Sequence, residues 1–163
     1  GSVLNLTAGA AMAVVAVLGP LLGAVADRRA SKKKFLAAFA LLGVLSSGSM
    51  VLIGDGDVAL SVVLYALGTI GVAGSITFYD ALLPHVARPD DLDRASSLGF
   101  AAGYLGSTAL FILNILLLAH PEWLGLSSPA QASRACFASV AVWWALFTIP
   151  ILRAVKEPRA SNQ

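Results

Sequence analysis

The sequence predicts an all-α protein, a polytopic bundle of about five membrane-spanning helices. Apolar residues make up 58% of the 163-residue chain and charged residues only 12%, whereas a soluble domain carries about 25% charged residues. The mean hydropathy of +0.82 agrees with a protein whose solvent is lipid. Long apolar stretches and the placement of the basic residues between them complete this prediction.

Each predicted span is long enough to cross a bilayer core, which takes about 20 apolar residues of helix. Asp, Glu, Lys and Arg are absent from the spans except for Arg134, near the start of the last one. Short connections join the spans, so we treat residues 1–163 as a single transmembrane domain. The predicted spans are residues 3–26, 35–53, 58–79, 95–118 and 133–152.

The basic residues predict the orientation of the helices, because Lys and Arg are retained in cytoplasmic loops. Ten of the eleven lie in the first connection, in the third connection or after the fifth span, and these fall on one side of an alternating topology. Only Arg134 lies on the other side. We therefore expect the N-terminus outside and the C-terminus in the cytoplasm. The ten residues are Arg28, Arg29, Lys32, Lys33, Lys34, Arg88, Arg94, Arg153, Lys156 and Arg159.

Catalytic and metal-binding motifs are not found in the sequence. The single cysteine, Cys136, has neither a partner cysteine nor clustered histidines, which excludes a disulfide framework and a Cys/His metal site. Nucleotide-binding loops, nucleophile elbows and paired carboxylates are also missing. We expect no enzymatic activity, no cofactor, no bound metal and no nucleic-acid partner. The expected partners are the lipid bilayer and a small-molecule substrate.

The first connection places a carboxylate, Asp27, where the first span leaves the membrane. Retention of Lys and Arg on the cytoplasmic side explains the basic residues that follow, but it does not explain the acidic residue. A carboxylate here can pair with a basic side chain, for which Arg28 and Arg94 lie on the expected face, or accept from N–H groups that open another helix. Asp27 is therefore interpreted as part of a latch.

The same segment resembles the signature of the major facilitator superfamily, which reads Gly, three residues, Asp, Arg, one residue, Gly and then basic residues. Gly23, Asp27 and Arg28 match in register, whereas Ala30 replaces the second Gly and Ser31 replaces the first basic residue. The resemblance implies that Asp27 and Arg28 help to hold a cytoplasmic gate between two halves of a transporter. The residues assigned to this gating motif are Gly23, Asp27, Arg28, Lys32 and Lys33.

The end of the third span narrows the resemblance to one subgroup. Residues 77–84 and 96–106 resemble the corresponding segments of the fungal vacuolar effluxers linked to autophagy and of their bacterial relatives. Tyr79, Asp80 and Pro84 belong to that motif, although Asn is expected at the position of Asp80. The resemblance implies helices two to six of a twelve-helix transporter, a partial N-terminal half. It further implies export of amino acids or similar small metabolites by alternating access, and we expect the bacterial inner membrane as the location.

Small residues recur along the fourth span at spacings that place them on one stripe, which allows another helix to approach closely. We assign helix packing to Gly99, Gly103, Gly106 and Ser107. The amide of Asn114 needs a partner or water within the membrane, so Asn114 is a cavity candidate together with Tyr104. The third span repeats this pattern, and close packing is expected there at Gly68, Gly71, Gly74 and Ser75.

Two other interpretations remain open. The chain could be a membrane scaffold or assembly subunit, in which the glycine-rich stripes mediate contacts between subunits. It could also belong to a drug or sugar carrier of another major facilitator branch, since the Gly/Asp/Arg loop is shared across branches. Under the transporter interpretation the missing helix and second half complete the protein, or another copy of the chain does.

Overall fold

The computed structural model describes residues 2–54 and 56–157, and this part of the chain is helical without strands. Its five long helices are each long and apolar enough to cross a membrane. The predicted all-α fold, with about five helices able to span a membrane, is therefore confirmed. Arg159, which entered the charge pattern, lies outside the described residues. The helices are α1 (Ser2–Arg28), α2 (Lys32–Ser49), α3 (Val58–Leu82), α4 (Leu92–Ala119) and α5 (Pro129–Ala154).

Most helices continue past the apolar stretches, because polar residues form their terminal turns. At the start of α5, the hydroxyl of Ser128 accepts a hydrogen bond from the Gln131 N–H at 3.3 Å, and Pro129 occupies the first helical position. A 3₁₀ turn, Pro89–Asp91, leads directly into α4. The Pro-Asp-Asp sequence thus opens a helix.

The end of α1 is a Schellman motif, in which two N–H groups just after the helix donate to carbonyls of its last turn and one residue adopts the left-handed conformation. The Ser31 N–H donates to the Ala26 carbonyl at 2.9 Å, and the Ala30 N–H donates to the Asp27 carbonyl at 3.5 Å. Ala30 takes the left-handed conformation with φ of 45°. This is the position where the resembled signature has its second Gly, the residue best suited to that conformation. The turn brings the start of α2 back toward the last turn of α1.

Helices α2 and α3 form a closely packed seam. A Cβ atom on Gly71 would lie 2.6 Å from the backbone nitrogen of Gly43, and a Cβ on Gly74 would overlap the ring of Phe39. Ser75 is buried at the same contact face of α3. The close packing predicted for Gly71 and Gly74 is confirmed, since only a hydrogen fits at these two positions.

The hydrophobic core lies at the end of the bundle where α1 stops and α2 starts. Phe78 is only 2% exposed and lies in a buried cluster with Ala26, Leu36 and Leu82. The ring of Phe35 stacks on that of Phe78 with 5.1 Å between centroids. Residues near the end of α5 pack against the same cluster. Four helices are therefore held together at this end.

Polar contacts identify which connections share an end of the bundle. The Lys32 ammonium lies 3.4 Å from the Ala81 carbonyl near the end of α3, and the Lys33 N–H reaches Glu157 beyond α5. At the opposite end, the Arg134 guanidinium donates to the Ile53 carbonyl at 3.0 Å. The connections rich in Lys and Arg thus lie together, away from Arg134. Which side of the membrane that end faces stays a prediction.

Helix α4 differs from its neighbours because none of its residues is buried. It runs beside α5 and approaches the end of α3, and most of its surface is left open. Its exposed large side chains include Leu105, Phe111 and Leu113. Lipid or further helices must cover such a surface in a membrane.

Candidate functional site

An ion pair joins the last turn of α1 to the first turn of α2. The Lys32 ammonium lies 2.8 Å from Asp27 Oδ1, with the lysine side chain 15% exposed and the aspartate 47% exposed. The expectation that Asp27 is paired is confirmed, and of the two classes of partner left open the structure shows a basic side chain. The named partners were wrong, because the left-handed turn at Ala30 directs Lys32, and not Arg28 or Arg94, toward the carboxylate.

Lys32 also connects this corner to α3. Its ammonium lies 3.4 Å from the Ala81 carbonyl and 3.2 Å from His85 Nε2. Because an ammonium group only donates, Nε2 accepts, and the neutral imidazole then carries its proton on Nδ1. Sequence reasoning missed His85, since its position in the chain gives no sign of a contact with the first connection.

Glu157 completes the corner from the far end of the chain. Both of its carboxylate oxygens accept from the Lys33 N–H, at 3.0 and 3.3 Å. Helix N-termini have unsatisfied N–H groups and a partial positive charge, so a carboxylate is stabilised there. The side chain of Ser31, at the N-cap position, makes no capping bond. Sequence reasoning missed Glu157 too, because 124 residues separate it from Lys33.

The other signature residues take no part in this corner within the described chain. A Cβ on Gly23 would have no atom within 4 Å, and Arg28 is exposed. Gly23 lies one turn before Asp27 on the same helix face. That face of α1 is open, so the gating roles of Gly23 and Arg28 stay predictions about contacts with helices outside this chain.

A groove between α3 and α4 brings together residues that the sequence predicted separately. The family-motif pair Tyr79 and Asp80 lies on its α3 side, and the residues predicted for packing or a cavity lie on its α4 side. Its lining residues are Ile76, Tyr79, Asp80, Gly99, Phe100, Gly103, Tyr104 and Ser107. Pro84 lies just beyond it, in the 3₁₀ turn that follows α3.

The small residues of α4 differ in what surrounds them. A Cβ on Gly99 would lie 2.9 Å from the Tyr79 hydroxyl, and one on Gly106 would lie 3.8 Å from the Trp143 ring on α5. A Cβ on Gly103 would have no atom within 4 Å, and Ser107 is exposed with its hydroxyl bonded to the Tyr104 carbonyl. Helix packing at Gly103 and Ser107 therefore stays a prediction, and it concerns a helix outside the described chain.

Asn114 lies away from the groove, at the contact between α4 and α5. Its Oδ1 accepts a hydrogen bond from the Ser139 hydroxyl at 2.8 Å, and both residues are half-buried. The amide thus has the partner that an apolar environment requires. Tyr104, in contrast, is 71% exposed and lines the groove. The two cavity candidates are not brought together.

Neither region contains a cluster of metal-ligating side chains among the described residues. Among residues 2–54 and 56–157, no three His, Cys, Asp or Glu side chains are close enough to hold a metal ion. The arrangement offers instead a charged corner where helix ends meet and an open groove. The contacts at the corner and the width of the groove can both change when the helices move relative to one another.

Comparison with known proteins gave a family and two relatives. The family model described as "Vacuole effluxer Atg22 like" matches residues 1–163. A Bacillus subtilis (strain 168) protein named "Uncharacterized MFS-type transporter YxiO" is 39% identical over 146 residues, covering 88% of this chain and 34% of that protein. An "Uncharacterized protein" of Aquifex aeolicus (strain VF5) is 31% identical over 118 residues, covering 72% of this chain and 30% of that protein. The chain thus spans about a third of the length of these relatives. No solved structure gave a significant match.

Proposed function

The chain belongs to the vacuole effluxer Atg22-like family, and from this membership we propose that it supplies helices two to six of a transporter. The transporter moves a small solute by alternating access, with amino acids or similar metabolites as the substrate class. The protein lies in the bacterial inner membrane with the Lys- and Arg-rich end of the bundle in the cytoplasm. Family membership, the apolar helices and the clustering of basic residues support this proposal.

The corner formed by Asp27 and Lys32 is the observation that carries the proposed mechanism. It links the ends of α1, α2 and α3, and Glu157 ties the segment after α5 to the same place. An ion pair that is half-exposed on one side contributes roughly 0–1 kcal/mol. Since about 1.4 kcal/mol changes an equilibrium tenfold, this pair within one half is weak enough for Asp27 to exchange Lys32 for a group of the second half when the gate closes.

The groove between α3 and α4 supplies the surface that would face the rest of the transporter. Substrates of such carriers bind near the bilayer midplane, between the repeated halves of the fold. The groove is lined by polar and aromatic side chains, Tyr79 and Tyr104 among them, beside small residues. In the complete protein, a second half seated here would cover Gly103 and Ser107.

Transport by the full-length protein, reconstituted in liposomes, tests the proposal. We expect Asp27→Asn to change the transport rate of a labelled amino acid severalfold while membrane insertion is retained, because the pair with Lys32 loses its charge. Asp90→Asn is the matched control, since Asp90 is exposed at the same end and makes no ion pair within the described residues. Equal rates for Asp27→Asn and the unchanged protein would remove the latch. A protein that inserts and moves no small solute would favour the scaffold interpretation.

The proposed orientation in the membrane is tested separately, by cysteine labelling. In a Cys136→Ala background, single cysteines placed at Lys33 and at Asp57 are labelled with a membrane-impermeant maleimide in intact cells. We expect labelling at position 57 from outside, and labelling at position 33 only after the cells are opened. Labelling of both positions from the same side would contradict the proposed topology.

A further inference from the structure

A cleft between the end of α1 and the start of α2 is used by neither the ion-paired corner nor the groove. It opens on the side of the corner where the chain turns from one helix to the next. Charged and hydroxyl groups line one part and apolar side chains line the other. Its lining residues are Val25, Arg29, Ser31, Lys34, Phe35 and Ala38.

The two basic side chains of the cleft, Arg29 and Lys34, form no ion pair with a carboxylate of the described residues. Asp27 is paired with Lys32, and Glu157 is bonded to the Lys33 N–H. In the described part of the chain, neither Arg29 nor Lys34 comes within 4 Å of a carboxylate. Both side chains are exposed, so two basic groups are available to an anion.

The apolar part of the cleft continues into the membrane-spanning region. Ala38 lies six residues after the first residue of α2, which places it about 9 Å along the helix. Val25 and Ala38 are exposed and Phe35 is half-buried. A small inorganic anion would use only the basic part. A molecule with an anionic head and an apolar tail would use both parts.

Ser31 adds a hydrogen-bonding group that the fold itself leaves without a partner. The residue is 8% exposed, and its Oγ has no hydrogen-bond partner among the described residues. It lines the cleft beside Arg29 and Lys34. A hydroxyl can donate to a phosphate oxygen, and arginine recognises phosphate through paired N–H groups.

We propose that this cleft binds an anionic phospholipid. The phosphate accepts hydrogen bonds from Arg29 and, once the buried hydroxyl rotates toward the cleft, from Ser31. Lys34 supplies the second positive charge. An acyl chain lies along Val25, Phe35 and Ala38. Basic pockets between helices at the cytoplasmic surface suit anionic headgroups. The site does not depend on transport, so it can be tested even if the protein moves no solute.

Lipid binding to the purified full-length protein in neutral detergent tests the site. Native mass spectrometry would follow titration with phosphatidylglycerol or with phosphatidylcholine of the same acyl chains. We expect Arg29→Gln/Lys34→Gln to weaken phosphatidylglycerol binding about twenty-fivefold, because each basic residue near an anionic lipid contributes about fivefold. Arg88→Gln/Arg94→Gln removes the same charge from the same end of the bundle outside the cleft, and should keep the affinity. Equal losses in both double variants would reduce the site to general attraction and overturn the proposal.

Two further measurements distinguish a lipid from a free anion. Ala38→Trp fills the apolar part without changing the charge, and should weaken phosphatidylglycerol binding while the melting temperature without lipid stays unchanged. Inorganic phosphate should displace bound phosphatidylglycerol only weakly. Tight binding of inorganic phosphate, full affinity in Ala38→Trp, or equal affinity for phosphatidylcholine would each refute an anionic phospholipid as the occupant.

Discussion

The α2–α3 seam and the α3–α4 groove are built from the same kinds of residue at similar spacings, yet their small residues have opposite surroundings. On the seam, a Cβ on Gly71 would collide with the backbone of Gly43. In the groove, a Cβ on Gly103 would meet no atom within 4 Å. Both glycines lie in long helices of similar apolar composition.

The difference shows what a stripe of small residues can and cannot specify. Such a stripe allows a backbone to approach closely, but it does not identify which backbone approaches. Gly71 already has its partner within this chain. Gly103 has none among the described residues, so its surface is open to lipid or to a further helix.

Replacement of Gly71 with alanine should give the largest effect on stability. The added Cβ would lie 2.6 Å from the Gly43 nitrogen and 2.9 Å from the Phe39 carbonyl oxygen, and backbone atoms cannot move aside without separating the helices. Overpacking of this kind costs about 1–3 kcal/mol or more. Thermal unfolding of the full-length protein in detergent would measure the loss. Gly103→Ala is the control, and an equal loss for both variants would erase the distinction between seam and groove.

Replacement of Gly103 with leucine should act on function more than on the folding of this bundle. The groove has room for the side chain here, but the second half that we propose to be seated on it would not. We expect a tenfold or larger loss of transport with normal membrane insertion. Ala102→Leu is the control, because Ala102 is exposed on the same helix and does not line the groove. Full transport by Gly103→Leu would show that lipid covers this face.

The fold was predictable because lipid leaves little choice of structure. Backbone groups in a bilayer must be satisfied within a helix or a closed barrel, so five apolar stretches without internal charges indicated five helices. The left-handed turn at Ala30 was not predicted, although the resembled signature has Gly at this position. Helix ends were predicted less well, because polar capping groups such as Ser128 extend α5 beyond its apolar stretch.

The candidate site was only half predictable, since its contacts depend on the packing of distant segments. Asp27 could be recognised as needing a basic partner, because an acid at a helix end stands out in the sequence. The choice of Lys32 required the turn geometry. Glu157 and His85 could not be found, because nothing local to either residue indicates that it reaches the start of α2.

Removal of the Ser139 hydroxyl tests the side-chain hydrogen bond between α4 and α5 at Asn114. Ser139→Ala leaves the Asn114 oxygen without its donor at 2.8 Å. Hydrogen bonds between membrane helices average about 0.6 kcal/mol, so we expect a small decrease in the free energy of unfolding. Ser107→Ala is the control, as that hydroxyl bonds only within its own helix. A loss of several kcal/mol would mean that α4 is held far more firmly than its open surface indicates.

The smallest expected effect, a gain in stability, comes from Ala30→Gly at the turn between α1 and α2. Ala30 has φ of 45°, a left-handed conformation that costs an ordinary residue roughly 1–2 kcal/mol. Glycine removes that cost, but loses about 0.4–1 kcal/mol through the greater freedom of its unfolded chain. The net gain should be about 0.5 kcal/mol, measured by thermal unfolding of the full-length protein in detergent.

The matched control for this substitution makes the same chemical change where glycine has no advantage. Ala102→Gly lies on the exposed surface of α4, within a regular helix, and should lower stability by up to about 1 kcal/mol. Opposite signs at the two positions would show that the turn, and not a general tolerance for glycine, determines the effect. Destabilisation by Ala30→Gly would mean that the methyl group of Ala30 makes a contact worth more than the left-handed strain. The shape of the corner that pairs Asp27 with Lys32 would then be set by alanine packing, and the signature Gly would no longer explain it.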